Sequence, residues 1–307
     1  FRLVHVPVGD GVVEVSTFRS HAPSTNSNDK TTKETDLQKD DSIYGTLEED
    51  VRRRDFSFNA LYYSPANETI IDFVGGVEDI KAKRIRCLIP RKEIFRDDPV
   101  RIIRAIKYAS MGGFAMPFLL RYQISKDAPL IKGCSHSRLT EEVFKILKCG
   151  SSASIMRNTK KLKVLVYLLP EIDARLDNPD TLEKFFASLE ALDQLTASLK
   201  EVKKGVMIKH LVSPFIAMPS ACENPLELHR ELFTEIKHLV HPITPPNHDV
   251  EEAVRMMMKE AGFRPIRSLP QQNRRGSLQR KGVPSVSSMK NQKQDETLPV
   301  PQEKPND

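Results

Sequence analysis

A chain of 307 residues is long enough for about two domains with buried cores. Its hydrophobic content is 39%, its aromatic content 7%, and it has no tryptophan, which favours modest helical layers and polar segments outside any core. The net charge of +6 and the pI near 9.0 favour anionic partners, nucleic acid first, although 47 basic and 41 acidic groups nearly cancel. No apolar run approaches the roughly 20 residues that span a bilayer, so a membrane partner is not expected. Cys87, Cys134, Cys149 and Cys222 form no CxxC pair and no zinc spacing; they read as free thiols of a reducing, cytoplasmic compartment.

In chain order, residues 2–8 and 12–18 read as two strands joined by the turn Gly9-Asp10-Gly11. Residues 20–42 are polar and aperiodic, as in a mobile surface loop. A helix is expected over 48–63, then a turn at 65–67, a strand over 69–73, a short helix ending near Ala82, and a strand over 84–89. Gly75-Gly76 lacks phosphate-loop spacing and reads as a turn. From Asp97 the period becomes helical: Asp98 reads as N-cap, Pro99 as first helical residue, Ile102, Ile103, Ile106 and Ala109 as the buried stripe, and Gly112-Gly113 as the stop. Helices are expected at about 121–128, 137–149, 151–168, 180–199, 203–217, 225–240 and 248–261. The last stretch, to 307, has six prolines from 265 onward and no aromatic residue; it reads as a disordered basic tail.

Chemistry concentrates in three places. Arg52-Arg53-Arg54-Asp55 with Asn59 places guanidinium, carboxylate and amide groups within eight positions, either a solvated charged helix face or a site for a triphosphate and its sugar. Glu14, among Val12, Val13 and Val15, is either an exposed strand residue or a metal ligand at a sheet edge. Asp97-Asp98-Pro99-Val100-Arg101 is either a plain helix start with surface ion pairs or a recognition element. His136, His210 and the pair His238/His241 are lone or surface-spaced and read as structural or solvent-facing, and His248 has no partner histidine at ligand spacing.

RRDFSFNALYY, followed by IIDFVGGVEDIKAKRIRCL and FRDDPVRIIRAIKYA, resembles the class II nucleotidyltransferases, the family of the bacterial poly(A) polymerases and the CCA-adding tRNA nucleotidyltransferases. The resemblance runs from Phe1 to about Gly113, broken by the polar insert, and continues more faintly to about Phe263. It implies template-independent transfer of a nucleoside monophosphate to an RNA 3′ end. By the same resemblance Glu14 helps to hold two catalytic magnesium ions, Arg53 and Arg54 contact phosphates, and Asp55 and Asn59 order the ribose and its loop. Asp98 and Arg101 read the base, with Asp97 and Arg104 in support. Arg84, Arg86, Arg91, Lys92 and Lys107 form a basic stretch that can follow the RNA backbone or simply be a mixed surface. The family's Asp-x-Asp metal ligands lie upstream of the hairpin, so the sequence as given is expected to be a fragment without activity of its own.

The expectation is an α+β protein: a partial nucleotidyltransferase head over 1–96, a helical neck over 97–150, a helical body over 151–263 and the tail over 264–307. The partners expected are RNA 3′ ends, mRNA or tRNA, with ATP as substrate and magnesium as cofactor. FRLVHV, FRDDPVR and NALYY lean towards the poly(A) polymerase branch; a CCA-adding enzyme and an inactive RNA-binding module are the alternatives.

Overall fold

The computed structural model describes residues 3–9, 11–20, 44–199 and 201–263. The tail lies outside the described residues, and so does the polar insert apart from Ser20. Strands β1 (Leu3–Val8) and β2 (Gly11–Ser16) form an antiparallel hairpin in which His5 faces Glu14 and Val6 faces Val13. Gly9 takes φ of 57° in its turn, a conformation glycine adopts without a steric cost. Both strands are exposed along their whole length, valines included. The chain is anchored beyond them: the Gly45 amide donates to the Phe18 carbonyl at 3.0 Å, and the Phe18 ring meets Tyr62 edge-on at 5.8 Å.

Helix α1 (Leu47–Arg52) begins in a capping box, Thr46 Oγ1 accepting from the Glu49 amide while the Glu49 carboxylate accepts from the Thr46 amide. It ends at Arg52, so the helix expected over 48–63 is not formed. Asp55 accepts from the next amide, Phe56, at 2.9 Å, a local bond that competes with helix. Phe56 is then fully buried in an extended conformation and bridges Cys87: the Ser57 amide donates to the Arg86 carbonyl at 3.0 Å and the Leu88 amide to the Asp55 carbonyl at 3.1 Å. A 3-10 turn (Ser57–Asn59) follows, then a small antiparallel pair, β3 (Tyr62–Ser64) with β4 (Thr69–Ile71).

Helix α2 (Gly76–Lys81) packs onto that 3-10 turn. Gly75 has φ of 74°, and a Cβ on Gly76 would stand 2.3 Å from the Ser57 carbonyl oxygen, so the Gly-Gly step serves a turn and a close approach. Asp72 caps the helix, accepting from the amides of Val74, Gly76 and Val77 at 2.9–3.1 Å. Burial raises the Asp72 pKa, but these bonds outweigh it and hold the carboxyl below its usual range. Asp79 is lowered in the same way, burial opposed by Ser57, Arg84 and Arg86. A depressed folded-state pKa stabilises above the unfolded value near 4, and the contribution is lost as pH falls through the folded pKa. Urea midpoints are therefore expected to drop between about pH 5 and pH 2, and Asp72→Asn should flatten that decline. An unchanged slope in the variant would sink the assignment.

The strand expected over 84–89 is replaced by two single bridges. Arg84 pairs with Ala115, with the Ile85 amide donating to Ala115 and the Ala115 amide to Lys83, while Cys87 pairs with Phe56. Alternation of exposed Arg84 with buried Ile85 produced the strand signal, but each side of the segment finds only one partner residue.

Helix α3 (Ile94–Asp97) is a separate turn before α4 (Val100–Gly112), so the helix does not start at Asp97 and Pro99 precedes it. Asp98 still does the capping chemistry, its Oδ1 accepting from the Val100 amide at 3.1 Å. Ile102, Ile103 and Ile106 are buried as the periodicity requires. Gly113, with φ of 62°, stops α4, and the Phe114 amide closes back onto the Ala109 carbonyl at 3.1 Å.

The remainder is helical: α5 (Phe118–Asp127), α6 (His136–Lys148), α7 (Ser152–Lys161), α8 (Leu165–Leu168), α9 (Pro170–Arg175), α10 (Pro179–Ser198), α11 (Lys204–Val212), α12 (Pro225–Val240) and α13 (Asn247–Glu260). The helix expected over 151–168 breaks between α7 and α8, where Lys163 adopts φ of 57° and the Val164 amide returns to the Thr159 carbonyl. The break lets Val164, Leu165 and Leu168 all enter the core. The one expected over 203–217 ends at Val212 and passes into a 3-10 turn at Ser213–Phe215, where Pro214 cannot continue it. One continuous apolar core runs from Phe56 through α4, α6, α7, α10 and α11 to α13. No helix among the described residues is long and apolar enough to cross a membrane.

Candidate functional site

A cavity of about 300 Å³ opens where the end of β2, α1, the 3-10 turn and the start of α4 converge. Arg53, Arg54, Asp55 and Asn59 line it from one side and Asp98, Arg101 and Arg104 from the other. Two stretches about forty residues apart in sequence are thus joined in one site. The sequence reading did not name Ser16, Thr17, Arg19 and Asp50, which complete the wall. Asp50, three and four residues before Arg53 and Arg54, is the one that helical ion-pair spacing could have found. Arg52 lies outside, exposed and bonded to Glu48 at 2.7 Å.

Five arginines face three aspartates, so the cavity is net positive. The aspartates aim the arginines. Asp55, only 5% exposed, accepts from Arg104 Nε at 2.6 Å, Asn59 Nδ2 at 3.3 Å and the Phe56 amide. Burial lowers the Arg104 pKa, and the Asp55 charge more than reverses it, leaving the pKa raised and the guanidinium charged. Asp50 accepts from Tyr62 Oη, from Arg54 and from the Arg19 amide, and lies 3.7 Å from Arg53. Burial raises its pKa, but the Tyr62 bond and the other donors hold it below the usual range. Asp98 accepts from Arg138 Nη2 at 2.7 Å through its second oxygen. Arg138, on α6, was not visible as a site residue, because its partner lies 40 positions away.

Arg54 is largely a scaffold. Its Nη1 donates to the Asn59 carbonyl at 2.8 Å, its Nη2 to Tyr62 Oη and Asp50, and its Nε to Asp50, which leaves about one of its five donors for a ligand. Arg101 donates through Nη1 to the Ile94 carbonyl and to Asp97, so Asp97 acts on the cavity through Arg101.

The basic stretch is divided. Arg91 and Lys92 are exposed. Arg84 and Arg86 instead hold the fully buried Asp79, which also accepts from Ser57 Oγ at 2.6 Å. Lys107 is buried 3.3 Å from Glu142. Cys87, Cys134, Cys149 and Cys222 are unpaired, and burial, followed by the Asp55 charge, pushes the Cys87 thiol up to about 11.

Glu14 is two residues before Ser16 on β2 and shares its face, roughly 7 Å farther along the strand. It is exposed, its Oε1 3.6 Å from His5 Nε2. Among the described residues no group of three or more His, Cys, Asp and Glu is placed to hold a metal ion. Glu14 alone cannot make a two-magnesium centre, which wants near-octahedral oxygen ligands; it could supply one of them beside carboxylates outside the described residues. What the described residues support is the binding and orientation of a polyanion that carries hydrogen-bonding edges.

Comparison with known proteins bears on this cavity. Residues 1–86 match the family model described as "Poly A polymerase head domain" and residues 113–176 the one described as "Probable RNA and SrmB- binding site of polymerase A". Poly(A) polymerase I of Haemophilus influenzae is 33% identical over 209 residues, 68% of this chain and 46% of that protein. The Escherichia coli O157:H7 protein of the same name is 39% identical over 153 residues, 49% and 33% of the two chains. The CCA-adding enzyme of Bacillus subtilis is 28% identical over 203 residues, 65% and 48%. The chain thus matches less than half the length of each of these relatives. A crystal structure of a tRNA nucleotidyltransferase with a primer tRNA and an incoming ATP analogue shares the fold, with a TM-score of 0.55 and 23% identity over 83% of this chain and 65% of that one.

Proposed function

The chain belongs to the nucleotidyltransferase family of the poly(A) polymerases and CCA-adding enzymes, and on that premise we propose that it is part of an enzyme that extends RNA 3′ ends without a template, as a poly(A) polymerase transferring AMP from ATP. The observation that carries the reading is one arginine-rich cavity, into which Asp55, Asn59, Asp98 and Arg101 also converge. Arg53 and Arg104 take the triphosphate, with Arg54 holding the wall in place. Asn59 and Asp55 order the ribose. Asp98 and Arg101 face the base, and the exposed Arg91 and Lys92 follow the RNA backbone. The head, neck and body boundaries at 96/97 and 150/151 belong to the same proposal, as does magnesium as the metal of the whole enzyme, with Glu14 one of its ligands. The poly(A) branch is favoured because relatives of that name reach 39% identity.

An extension assay on the whole enzyme of which this chain is proposed to be part tests it, with RNA, magnesium, and ATP, CTP or both. Long tails with ATP alone support the poly(A) reading. Short additions that need both nucleotides on tRNA ends support a CCA-adding enzyme, and RNA binding without extension supports an inactive module. Within the active protein, Arg53→Ala should raise the ATP requirement about tenfold or more, the loss of one charge-assisted contact. Arg54→Ala should lower the urea midpoint as well, since it removes the bonds to Asp50, Tyr62 and Asn59. A wild-type urea midpoint for Arg54→Ala would contradict its role in the wall.

A further inference from the structure

A second cavity, of about 500 Å³, lies on the far side of α4 against α5 and α7. Arg104 at the first cavity and Ser110 at the second are six residues apart on α4, which is about 9 Å along the axis and a rotation of about 240°. One nucleotide cannot occupy both.

The floor of this cavity is apolar, with Ile106, Phe114 and Leu162. Its rim carries two aromatic rings that the fold leaves uncovered: Phe118 is 70% exposed and Tyr122 59%. They are four residues apart on α5 and so share a face. Arg121 lies 6.0 Å from the Phe118 ring centre, and Lys161 stands on the rim from α7. No carboxylate lines the cavity. Asn158 donates once, to Ser110 Oγ at 2.8 Å, and its remaining amide hydrogen and its oxygen are available to a base edge.

Exposed rings interleaved with cations, in a cavity without acidic groups, suit a polyanion whose units have flat apolar faces. A peptide would need no such charge bias. We propose that this cavity is a stacking subsite for an unpaired base of single-stranded RNA, with Phe118 and Tyr122 as the platform, Asn158 at the base edge, and Arg121 and Lys161 on the flanking phosphates. The inference rests on the RNA-extending reading above and on the match of residues 113–176 to a probable RNA-binding site, and what it adds is the platform and edge that would hold one unpaired base.

The test is fluorescence anisotropy at fixed salt, with labelled oligoadenylate of about fifteen nucleotides and an abasic ribose-phosphate strand of the same length. Phe118→Ala/Tyr122→Ala removes only exposed side chains, so the fold should persist, and circular dichroism verifies it. The double variant is expected to bind oligoadenylate roughly tenfold or more weakly and the abasic strand as wild type does, with ATP binding by calorimetry unchanged. Arg121→Gln should weaken both strands. Equal oligoadenylate binding by wild type and the double variant overturns the subsite. So does a double variant that loses self-association in sedimentation while keeping RNA affinity, which would assign the face to a second copy. A wild type that binds ATP but no RNA overturns the subsite and leaves the nucleotide cavity standing; one that binds neither removes the reading beneath it as well.

Discussion

Asp55→Ala should cost the protein about 2–4 kcal/mol of stability and weaken ATP binding at least tenfold. The carboxylate is buried, and through Arg104, Asn59 and the Phe56 amide it ties α4 to the 3-10 turn. Removing one partner of a fully buried pair typically costs about 3–5 kcal/mol. The figure here is lower because the Arg104 side chain is 35% exposed, so water can recover part of its solvation. Affinity falls for a separate reason: without Asp55, Arg104 is charged but no longer aimed. Asp55→Asn keeps the shape and loses the charge, so it should fall between wild type and Ala. Urea denaturation and calorimetry with ATP measure the two effects. A double-mutant cycle with Arg104→Ala should return a coupling of about 1–3 kcal/mol, and a coupling near zero would refute the account.

The second large effect is expected at Asp79, with a different signature. Asp79→Ala should cost about 2–4 kcal/mol, because the buried carboxylate accepts from Ser57, Arg84 and Arg86 and holds α2 against the 3-10 turn. Its two arginine partners are half exposed and would be released to solvent. Non-specific RNA affinity should therefore rise in the variant while stability falls, and the slope of log affinity against log salt should steepen by about one or two units. Filter binding over a salt series reads this. A variant with unchanged salt dependence would show that Arg84 and Arg86 already contact RNA in the wild type.

Those two arginines mark what the sequence could and could not show. A run of basic residues is visible in one dimension; the carboxylate that engages them is not. Lys107 repeats the lesson, since Glu142 lies 35 positions away. Local signals were read well where the local chemistry is self-sufficient. Asn224 caps α12, Pro225 follows it, and that helix runs over 225–240 as expected. Gly113 stops α4 for the same kind of reason. Lys163 shows the opposite case: nothing about a lysine announces a left-handed stop, and burial of Val164, Leu165 and Leu168 imposes it. At the site, the arginine run suggested one helical face. The structure reaches the same cavity by breaking the helix after Arg52 and turning Asp55 inward. The residue types were legible, but the geometry that unites them depends on Phe56 pairing with Cys87, far along the chain.

Asp98 carries one more consequence. A carboxylate has about four lone-pair directions, and the Val100 amide and Arg138 each occupy one. About two remain for a base. Adenine and cytosine both present an exocyclic amine there, so in the proposed pocket Asp98 answers both alike. The vote between them falls to Arg101, one helical turn on, whose Nη1 is already engaged by Ile94 and Asp97. Choosing ATP over CTP is then a matter of reach rather than charge: whether the guanidinium, tethered at one nitrogen, meets the ring acceptor of a purine or of a pyrimidine.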